Sequence, residues 1–482
     1  MTAAPVLLLS GYELGHQPLG VAAPLAWLAA AGIAAQAVDL AQEPLEQHAQ
    51  AVRSARWVGI STPMHTALRV GVQAARDVRA LNPAAHISFY GHYAALNAPQ
   101  LLRADADSVL AGELQSVLPQ LAHAVLQGTW DGHAPPPGVR TAHCPDAALP
   151  IRRTAANLQP QRAGLQALQC YAQLRSNGRL QLAGYTEATR GCKHMCTHCP
   201  IPPVYGGRFV AVPVAAVLAD VHTQVAAGAR HITFGDPDFL NGPAHALRIA
   251  RALHQQLPHV TFDFTAKVSH IAANAGLFAE FAALGCLFVV SAVESLAAPV
   301  LQALRKGHTR AELELALRTL DAAGIALRIS LVAFTPWTTL ADYLEQLAWL
   351  RANDLVEHID AVQLGIRLLI PPGSLLLREF GNAAWLGALD AENYSHPWTH
   401  PDARMDALWA QVSDCTAVAA RTGGDARTTF AAVERLAYAA AGRVAPAPAR
   451  ACGRRRPASR KAGSAEQSRF SLPVWPAFIT SH

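Results

Sequence analysis

Short apolar runs that alternate with helical stretches constrain the fold of this chain more than any other feature. In the first third of the sequence, five runs have the pattern of buried strands; they lie at residues 5–10, 35–40, 57–61, 86–90 and 108–111. Strands that alternate with helices predict a parallel sheet with helices on both faces. Residues 1–127 are therefore predicted to form a doubly wound, flavodoxin-like α/β domain.

Small, polar and glycine residues follow the predicted strands of this domain. They include Ser61, Thr62, Gly91, Gly112 and Glu113. Ligands of open parallel sheets bind at the carboxyl ends of the strands, so these residues suit a flat polar ligand. Ordinary turn chemistry explains them equally well. The next stretch, residues 128–181, is predicted to be a linker, because it contains several prolines and no sustained periodicity.

The composition excludes several classes of protein. Hydrophobic residues make up 51% and charged residues 15% of the chain, which excludes a mainly disordered protein. Much of the net charge of +5 lies in one basic run at residues 454–461, so no nucleic-acid partner is indicated. We find no apolar stretch long enough to span a bilayer and no signal-peptide pattern. Eight cysteines are too few for a disulfide scaffold, and we expect a cytoplasmic protein.

Three of the cysteines lie together in one short segment. Cys192, Cys196 and Cys199 have the spacing C-x3-C-x2-C, and no fourth cysteine lies nearby. Three thiolates hold three irons of a cubane cluster and leave the fourth iron open, as a catalytic metal site requires. The alternative is a zinc ion bound by these cysteines and by His194 or His198. Zinc usually takes two C-x2-C pairs, and the second pair is missing here.

The cysteine segment follows a predicted strand and resembles that of the radical S-adenosylmethionine superfamily. The resemblance continues through repeated strand and helix patterns, with strands near residues 183–189, 231–235, 260–264, 286–291, 327–333 and 362–368. Six strands joined by helices imply a partial (β/α)6 barrel over residues 182–376, with the site at the carboxyl ends of the strands. The resemblance implies that the cysteines bind a 4Fe–4S cluster, whose open iron chelates S-adenosylmethionine.

The resemblance also implies contacts for S-adenosylmethionine at three strand ends. These residues are Gly235, Asp236, Asp238, Ser291, Glu294 and Arg328. The first three occupy the place of the family's Gly-Gly-Glu motif, where carbonyls and a carboxylate suit the methionine ammonium group. Ser291 and Glu294 end the fourth predicted strand, whose polar residues contact the ribose or the carboxylate of S-adenosylmethionine in the family. The arginine on the fifth strand suits a bidentate pair with the methionine carboxylate.

An α/β domain before the barrel is similar to the arrangement in the cobalamin-binding branch of this superfamily. There the N-terminal domain holds cobalamin against the barrel, which implies cobalamin contacts at Ser61, Thr62, Gly91, Gly112 and Glu113. The D-x-H-x-x-G motif that supplies an axial histidine in other cobalamin proteins is absent, as it is in many members of this branch. The chain is most similar to a group named for a Cys-Cys-Ala-Glu-Pro tail, although that tail is absent.

The remaining residues extend beyond the predicted barrel. A helical extension is predicted for residues 377–442, and a disordered basic, proline-rich tail for residues 443–482. We interpret the histidines at the strand ends and in the cysteine segment as structural. No catalytic side chain is therefore assigned.

The resemblance implies a radical enzyme that transfers a methyl group to an unactivated carbon of an unknown substrate. It also implies an electron donor such as flavodoxin or ferredoxin. One alternative is a radical rearrangement or a peptide modification without methyl transfer. A further alternative is a non-enzymatic protein, either a zinc-stabilised scaffold or a cobalamin-binding regulator.

Overall fold

The computed structural model describes residues 4–146, 158–176 and 178–446 and the backbone of residues 469–471. The first sheet has the strand order β2-β1-β3-β4-β5-β6. Its strands are β1 (Val6–Ser10), β2 (Ala35–Asp39), β3 (Trp57–Ser61), β4 (His86–Tyr90), β5 (Ser108–Leu110) and β6 (Val139–Arg140). The first five are parallel, whereas β6 runs antiparallel to β5. The predicted doubly wound sheet is therefore confirmed, with strand bounds that agree to within one residue.

Helices cover both faces of the first sheet. They are α1 (Leu19–Ala30), α2 (Ala49–Ser54), α3 (His65–Leu81), α4 (His92–Leu96), α5 (Ala98–Ala104) and α6 (Val117–Gln127). All five residues of β1 are buried. Val6 and Leu8 pack into one hydrophobic cluster, and Leu7 and Leu9 pack into another. Because successive strand residues point to opposite faces, an uninterrupted apolar run is what a sheet covered on both sides requires.

The second sheet forms a curled half-barrel with the order β14-β13-β12-β11-β8-β7-β15. Its strands are β7 (Gln173–Ser176), β8 (Arg179–Thr186), β11 (His231–Phe234), β12 (Thr261–Thr265), β13 (Cys286–Glu294), β14 (Ala326–Leu331) and β15 (Arg469–Ser471). The strands β8, β11, β12, β13 and β14 are parallel. β7 pairs antiparallel with β8, and β15 pairs antiparallel with β7 at the edge of the sheet. A separate ribbon pairs β9 (Thr189–Gly191) with β10 (Phe209–Ala211).

Eleven further helices surround this sheet or follow it in the described part of the chain. They are α7 (Pro202–Tyr205), α8 (Val214–Ala226), α9 (Pro243–Gln256), α10 (Val268–Ala273), α11 (Phe278–Ala283), α12 (Ala298–Ala303), α13 (Arg310–Ala323), α14 (Leu340–Ala352), α15 (Leu377–Phe380), α16 (Ala403–Thr422) and α17 (Ala426–Ala440). None of the described helices is both long and apolar enough to cross a bilayer. The helical extension packs onto the half-barrel, since Leu408, Val412 and Val433 belong to its main hydrophobic cluster.

The structure differs from the sequence prediction at three places. The sixth predicted strand is reduced to one parallel bridge between Phe334 and Arg367, because residues 361–365 form a 3-10 turn instead. The predicted linker contributes β6 to one sheet and β7 to the other, and both strands are too short to show a sequence period. Part of the predicted disordered tail, β15, pairs with the open edge of β7. The rest of that tail beyond residue 446 lies outside the described residues.

Candidate functional site

The three cysteines lie on a loop that leaves the ribbon strand β9 at Gly191. This glycine has φ +75°, and a Cβ there would lie 2.4 Å from the Tyr205 ring and 2.7 Å from the carbonyl oxygen of Arg208. Only glycine tolerates that conformation and that close approach together. The turn at Gly191 therefore directs the cysteine loop over α7.

Polar contacts hold both halves of the loop to the half-barrel. The Asn241 side chain donates to the carbonyl oxygen of Gly191 at 3.2 Å and accepts from the Lys193 amide at 3.2 Å. The Thr197 hydroxyl donates to the carbonyl oxygen of Ala303 at 2.8 Å. The loop is therefore positioned by the ends of β11 and α12.

The three thiols are free and lie among buried surroundings. Burial raises the pKa of Cys192 to about 11 and that of Cys199 to about 12. One zinc ion keeps its ligand atoms about 2.0–2.3 Å from itself, which places them within about 4.6 Å of each other. Among the described residues, the group of three ligand atoms within 4.8 Å is His194, Asp238 and His270, and it contains no cysteine. The three cysteines do not form such a compact group among the described residues, so their arrangement does not match the one that a single zinc ion requires.

A buried cationic group compensates negative charge beside the loop. Lys306 Nζ and His198 Nε2 lie 3.2 and 3.3 Å from Glu294 Oε1. Burial alone raises the pKa of Glu294, but the Lys306 charge and the His198 contact outweigh it and lower the pKa to about 2. Lys267 acts to lower the pKa of Cys192 and Lys306 that of Cys199, although burial outweighs both effects. Such neighbouring cations favour the thiolate form, which is the form that binds metal.

Glu294 reaches this group because the strand β13 is distorted at its end. The pairing register with β14 shifts between Ala292 and Glu294, and Glu294 has φ 64°. A positive φ is costly for glutamate and is typical of functional sites. The irregularity turns the carboxylate towards His198 of the cysteine loop, and its contact with S-adenosylmethionine stays a prediction.

Asp236 lies close to the loop but is engaged by the backbone before it. Its carboxylate accepts from the Ala188 amide at 2.9 Å and from the Thr189 hydroxyl at 2.6 Å. Burial raises the pKa of Asp236 to about 7, although these two hydrogen bonds oppose the rise. The neighbouring Gly235 leaves room for Tyr185, since a Cβ there would lie 2.1 Å from Tyr185 Oη.

Asp238 faces two histidines. His270 Nδ1 lies 2.7 Å and His194 Nε2 lies 3.5 Å from Asp238 Oδ2. Burial raises the pKa of Asp238, but the two histidines outweigh burial and hold the pKa below its usual value. Asp238 therefore contacts His270 and His194, and its contact with a methionine ammonium group stays a prediction.

Ser291 and Arg328 lie on opposite faces of the half-barrel sheet. Ser291 pairs with Ile329, whose side chain belongs to the hydrophobic cluster under the helices. Arg328 lies on the inner face, where it donates to Asp360 at 2.9 Å and stacks 5.7 Å from the Phe288 ring. The structure does not bring Ser291 to the cysteine side, because adjacent strand positions alternate between faces.

The predicted cobalamin contacts lie at the edge of the first sheet that faces the cysteine loop. Glu113 accepts from Tyr205 Oη at 2.9 Å and pairs with Arg190 at 3.0 Å. Ser61 and Thr62 are buried, and the Thr62 hydroxyl donates to the carbonyl oxygen of Tyr90 at 3.0 Å.

Two glycines lie at the same edge of the first sheet. Gly91 and Gly112 have φ +111° and +78°. A Cβ on Gly91 would lie 2.8 Å from the carbonyl oxygen of Thr62. These glycines therefore shape the turns that carry the predicted contacts.

Sequence reasoning missed several side chains at this site. Lys267 and His270 follow β12, and Tyr93 follows β4. Burial, with a smaller effect from the Cys199 charge, raises the pKa of Tyr93. His16, from the loop after β1, stacks on Tyr185 with ring centroids 4.6 Å apart. The rule that ligands meet at the carboxyl ends of parallel strands identifies Lys267, His270 and Tyr93.

Comparisons with known proteins agree with this geometry. Residues 186–346 match the model of the Radical SAM superfamily. A solved radical S-adenosylmethionine methyltransferase, TsrM from Kitasatospora setae with tryptophan and an S-adenosylmethionine analogue bound, has a TM-score of 0.59 and 18% identity over 72% of this chain and 71% of its own. No curated protein matches the chain.

A second solved structure covers more of the chain. The cobalamin-dependent S-adenosylmethionine radical enzyme OxsB, with aqua-cobalamin and S-adenosylmethionine bound, has a TM-score of 0.66 and 15% identity over 87% of this chain and 67% of its own. At such identities the likeness shows the fold. The combination of a doubly wound domain and a half-barrel is therefore confirmed.

Proposed function

We propose that this chain, a radical S-adenosylmethionine enzyme, transfers a methyl group to an unactivated carbon with the help of cobalamin. Cys192, Cys196 and Cys199 would hold a 4Fe–4S cluster, which the superfamily implies together with S-adenosylmethionine. When bound, these groups supply one electron, a 5′-deoxyadenosyl radical that removes hydrogen from the substrate, and a methyl group carried by cobalamin.

One observation carries the proposal. The carboxyl ends of the first sheet meet the cysteine loop, since Glu113 pairs with Arg190, which lies two positions before Cys192. The Cys199 thiolate also contributes to the raised pKa of Tyr93, which follows β4. A cofactor bound at those strand ends would therefore face the cluster directly. TsrM and OxsB combine the same two folds, and both were solved with cobalamin bound.

The chain's own residues would prepare this site. We propose that Lys306 and Lys267 stabilise the thiolates and that Glu294 and the Gly235 carbonyl contact S-adenosylmethionine. Burial of these groups excludes water, which would otherwise react with a radical or solvate the charged side chains and weaken their interactions. Arg328 remains a proposed partner of a carboxylate on the inner face. Asp238 and Ser291 are not assigned to S-adenosylmethionine, given their contacts.

We also propose a cellular compartment and an electron donor for this chain. The described cysteines are all free thiols, which suits a reducing, cytoplasmic compartment. A one-electron donor, flavodoxin or ferredoxin, would reduce the cluster there. The substrate stays unassigned.

The test is electron paramagnetic resonance on anaerobically reconstituted, dithionite-reduced protein, with and without S-adenosylmethionine. We expect a 4Fe–4S signal that changes on addition, and loss of that signal in Cys196→Ala. Cysteine 415, which lies on α16, supplies the control Cys415→Ala, which should keep the signal. A signal indifferent to S-adenosylmethionine would overturn the proposal.

A second measurement separates methyl transfer from its alternatives. Cobalt analysis after reconstitution with cobalamin should find about one cobalt per chain, and isotope-labelled S-adenosylmethionine should pass its methyl group to a product. Formation of 5′-deoxyadenosine without cobalt or labelled product would favour rearrangement or peptide modification.

A further inference from the structure

Two histidines and an aspartate converge beside the cysteine loop. His194 comes from the loop, Asp238 from the end of β11 and His270 from α10. His194 Nε2 lies 3.1 Å from His270 Nε2 and 3.5 Å from Asp238 Oδ2, and His270 Nδ1 lies 2.7 Å from Asp238 Oδ2. Three separate elements therefore bring their ligand-type atoms to one point.

The contacts within the group leave buried atoms unsatisfied. Asp238 is 1% and His270 is 9% exposed, and neither Asp238 Oδ2 nor His270 Nδ1 makes a well-aligned hydrogen bond among the described residues. The other carboxylate oxygen, Oδ1, accepts from the Leu240 amide at 3.0 Å. That hydrogen bond orients the carboxylate and leaves Oδ2 aimed at the histidines. Buried polar atoms whose contacts are poorly aligned for hydrogen bonding are costly, so an ion bound by them would relieve the cost.

We propose that His194, Asp238 and His270 bind a divalent transition-metal ion that is separate from the iron–sulfur cluster. Ligand atoms about 2.0–2.2 Å from one ion lie roughly 3–4 Å apart. His194 Nε2 and Asp238 Oδ2 are 3.5 Å apart, and one nitrogen of His270 completes a set whose atoms all lie within 4.8 Å of one another. Two imidazoles and one carboxylate suit Zn²⁺ or Fe²⁺ and leave positions open for water or a substrate group. Lys267, the residue before α10, interacts electrostatically with His194 and Asp238, and its positive charge favours an anionic ligand in an open position.

The ion would connect the cysteine loop to β11 and α10. Its ligands include no cysteine, so it does not depend on the cluster or on methyl transfer. The metal content of the protein detects this ion without an activity assay. The result therefore stays interpretable even if the proposed radical function, on which it does not rest, is wrong.

The test is a Zn²⁺ titration of the full-length, anaerobically reconstituted protein, with zinc, iron and sulfide measured after removal of unbound metal. We expect one zinc per chain in addition to the cluster iron. His270→Ala should weaken zinc binding by more than about tenfold, the loss that even outer partners of metal ligands cause, with iron content unchanged. Asp238→Asn should behave alike, and the exposed histidine control His222→Ala should bind zinc normally.

A cluster-free variant separates this site from the cysteines. Cys192→Ala with Co²⁺ should give ligand-field absorption without a sulfur-to-cobalt charge-transfer band, and His270→Ala in that background should abolish it. Zinc or cobalt binding that requires the cysteines, or that survives both His270→Ala and Asp238→Asn, would overturn the proposal.

Discussion

At the scale of single residues, charge compensation around the cysteine loop decides the chemistry. Glu294 and Lys306 are both almost fully buried, and each depends on the other for its charge. A buried charge that loses its partner is destabilising, whereas the intact pair adds little net stability. The pair therefore serves the thiolates beside it more than the fold.

Replacing Lys306 removes a cation from Glu294 and from the cysteines. Lys306→Met should lower the free energy of unfolding by about 3 kcal/mol, because it removes the lysine charge from a buried carboxylate and leaves only His198 beside it. It should also lower iron per chain after reconstitution. Urea denaturation and iron analysis measure these effects, and Lys306→Arg serves as the charge-conserving control. Unchanged stability and iron content in Lys306→Met would contradict this role.

Asp236 makes stability depend on pH. Its pKa of about 7 in the folded state exceeds the ordinary aspartate value of 3.8, so the folded state holds the proton more tightly than the unfolded state. Its contribution is full at low pH and declines as pH rises from about 4 to about 7. Asp236→Asn, which keeps an acceptor for the Ala188 amide, should remove this decline. Between these pH values the free energy of unfolding should fall by roughly a few kcal/mol more in the wild-type protein than in Asp236→Asn. Parallel pH profiles would refute the assignment.

At the scale of elements, turns and strand faces decide which side chains reach the loop. Gly191 and the irregular end of β13 both carry positive φ values. They direct the cysteines and Glu294 towards one another from different elements. Regular strands at these points would aim the same residues elsewhere.

A substitution at Gly191 tests the turn before the cysteines. Gly191→Ala should cost more than about 2 kcal/mol and prevent cluster assembly, because a strained φ and a clash with Tyr205 add. Gly324→Ala is the matched control, since Gly324 has φ +73° and nothing within 4 Å of the added Cβ. Thermal unfolding and iron content compare the two variants. Equal losses of stability and iron content in the two variants would show that backbone strain, and not the clash with Tyr205, causes the effect.

The face assignment of β13 predicts a small effect at Ser291. The hydroxyl is buried without a hydrogen-bond partner among the described residues. Ser291→Ala should therefore leave the free energy of unfolding unchanged or raise it by up to about 1 kcal/mol. Binding of S-adenosylmethionine, followed by paramagnetic resonance, should be unaffected. Weaker binding of S-adenosylmethionine by Ser291→Ala would instead support the contact that the sequence resemblance implied.

At the scale of the whole molecule, the two sheets share one buried site. The Glu113–Arg190 pair joins the end of β5 to the start of the cysteine loop, and Glu113 is 3% exposed. Because of this contact, the position of the first domain affects which groups surround the cysteine loop.

Weakening this connection should loosen the two sheets. Glu113→Gln should cost about 3 kcal/mol, because it leaves the Arg190 charge with one partner fewer in a buried position. It should also speed limited proteolysis within residues 128–181. The exposed pair Arg251 and Glu280 offers a control, since solvent screens this pair and Glu280→Gln should leave the free energy of unfolding nearly unchanged. Equal proteolysis of both variants would argue against a shared site.

The sequence by itself determined most of the two series of strands, the position of the cysteine loop and the resemblance to the radical S-adenosylmethionine superfamily. These features depend on local periodicity and spacing, which are properties of adjacent residues. The tertiary structure alone decided which face of β13 meets the site, which carboxylates already have partners, and that His270 lies opposite Asp238. Short strands such as β6 exist only because a neighbouring edge accepts them. Such choices depend on register and on contacts between distant residues, because a shift of one position turns every side chain of a strand to the other face.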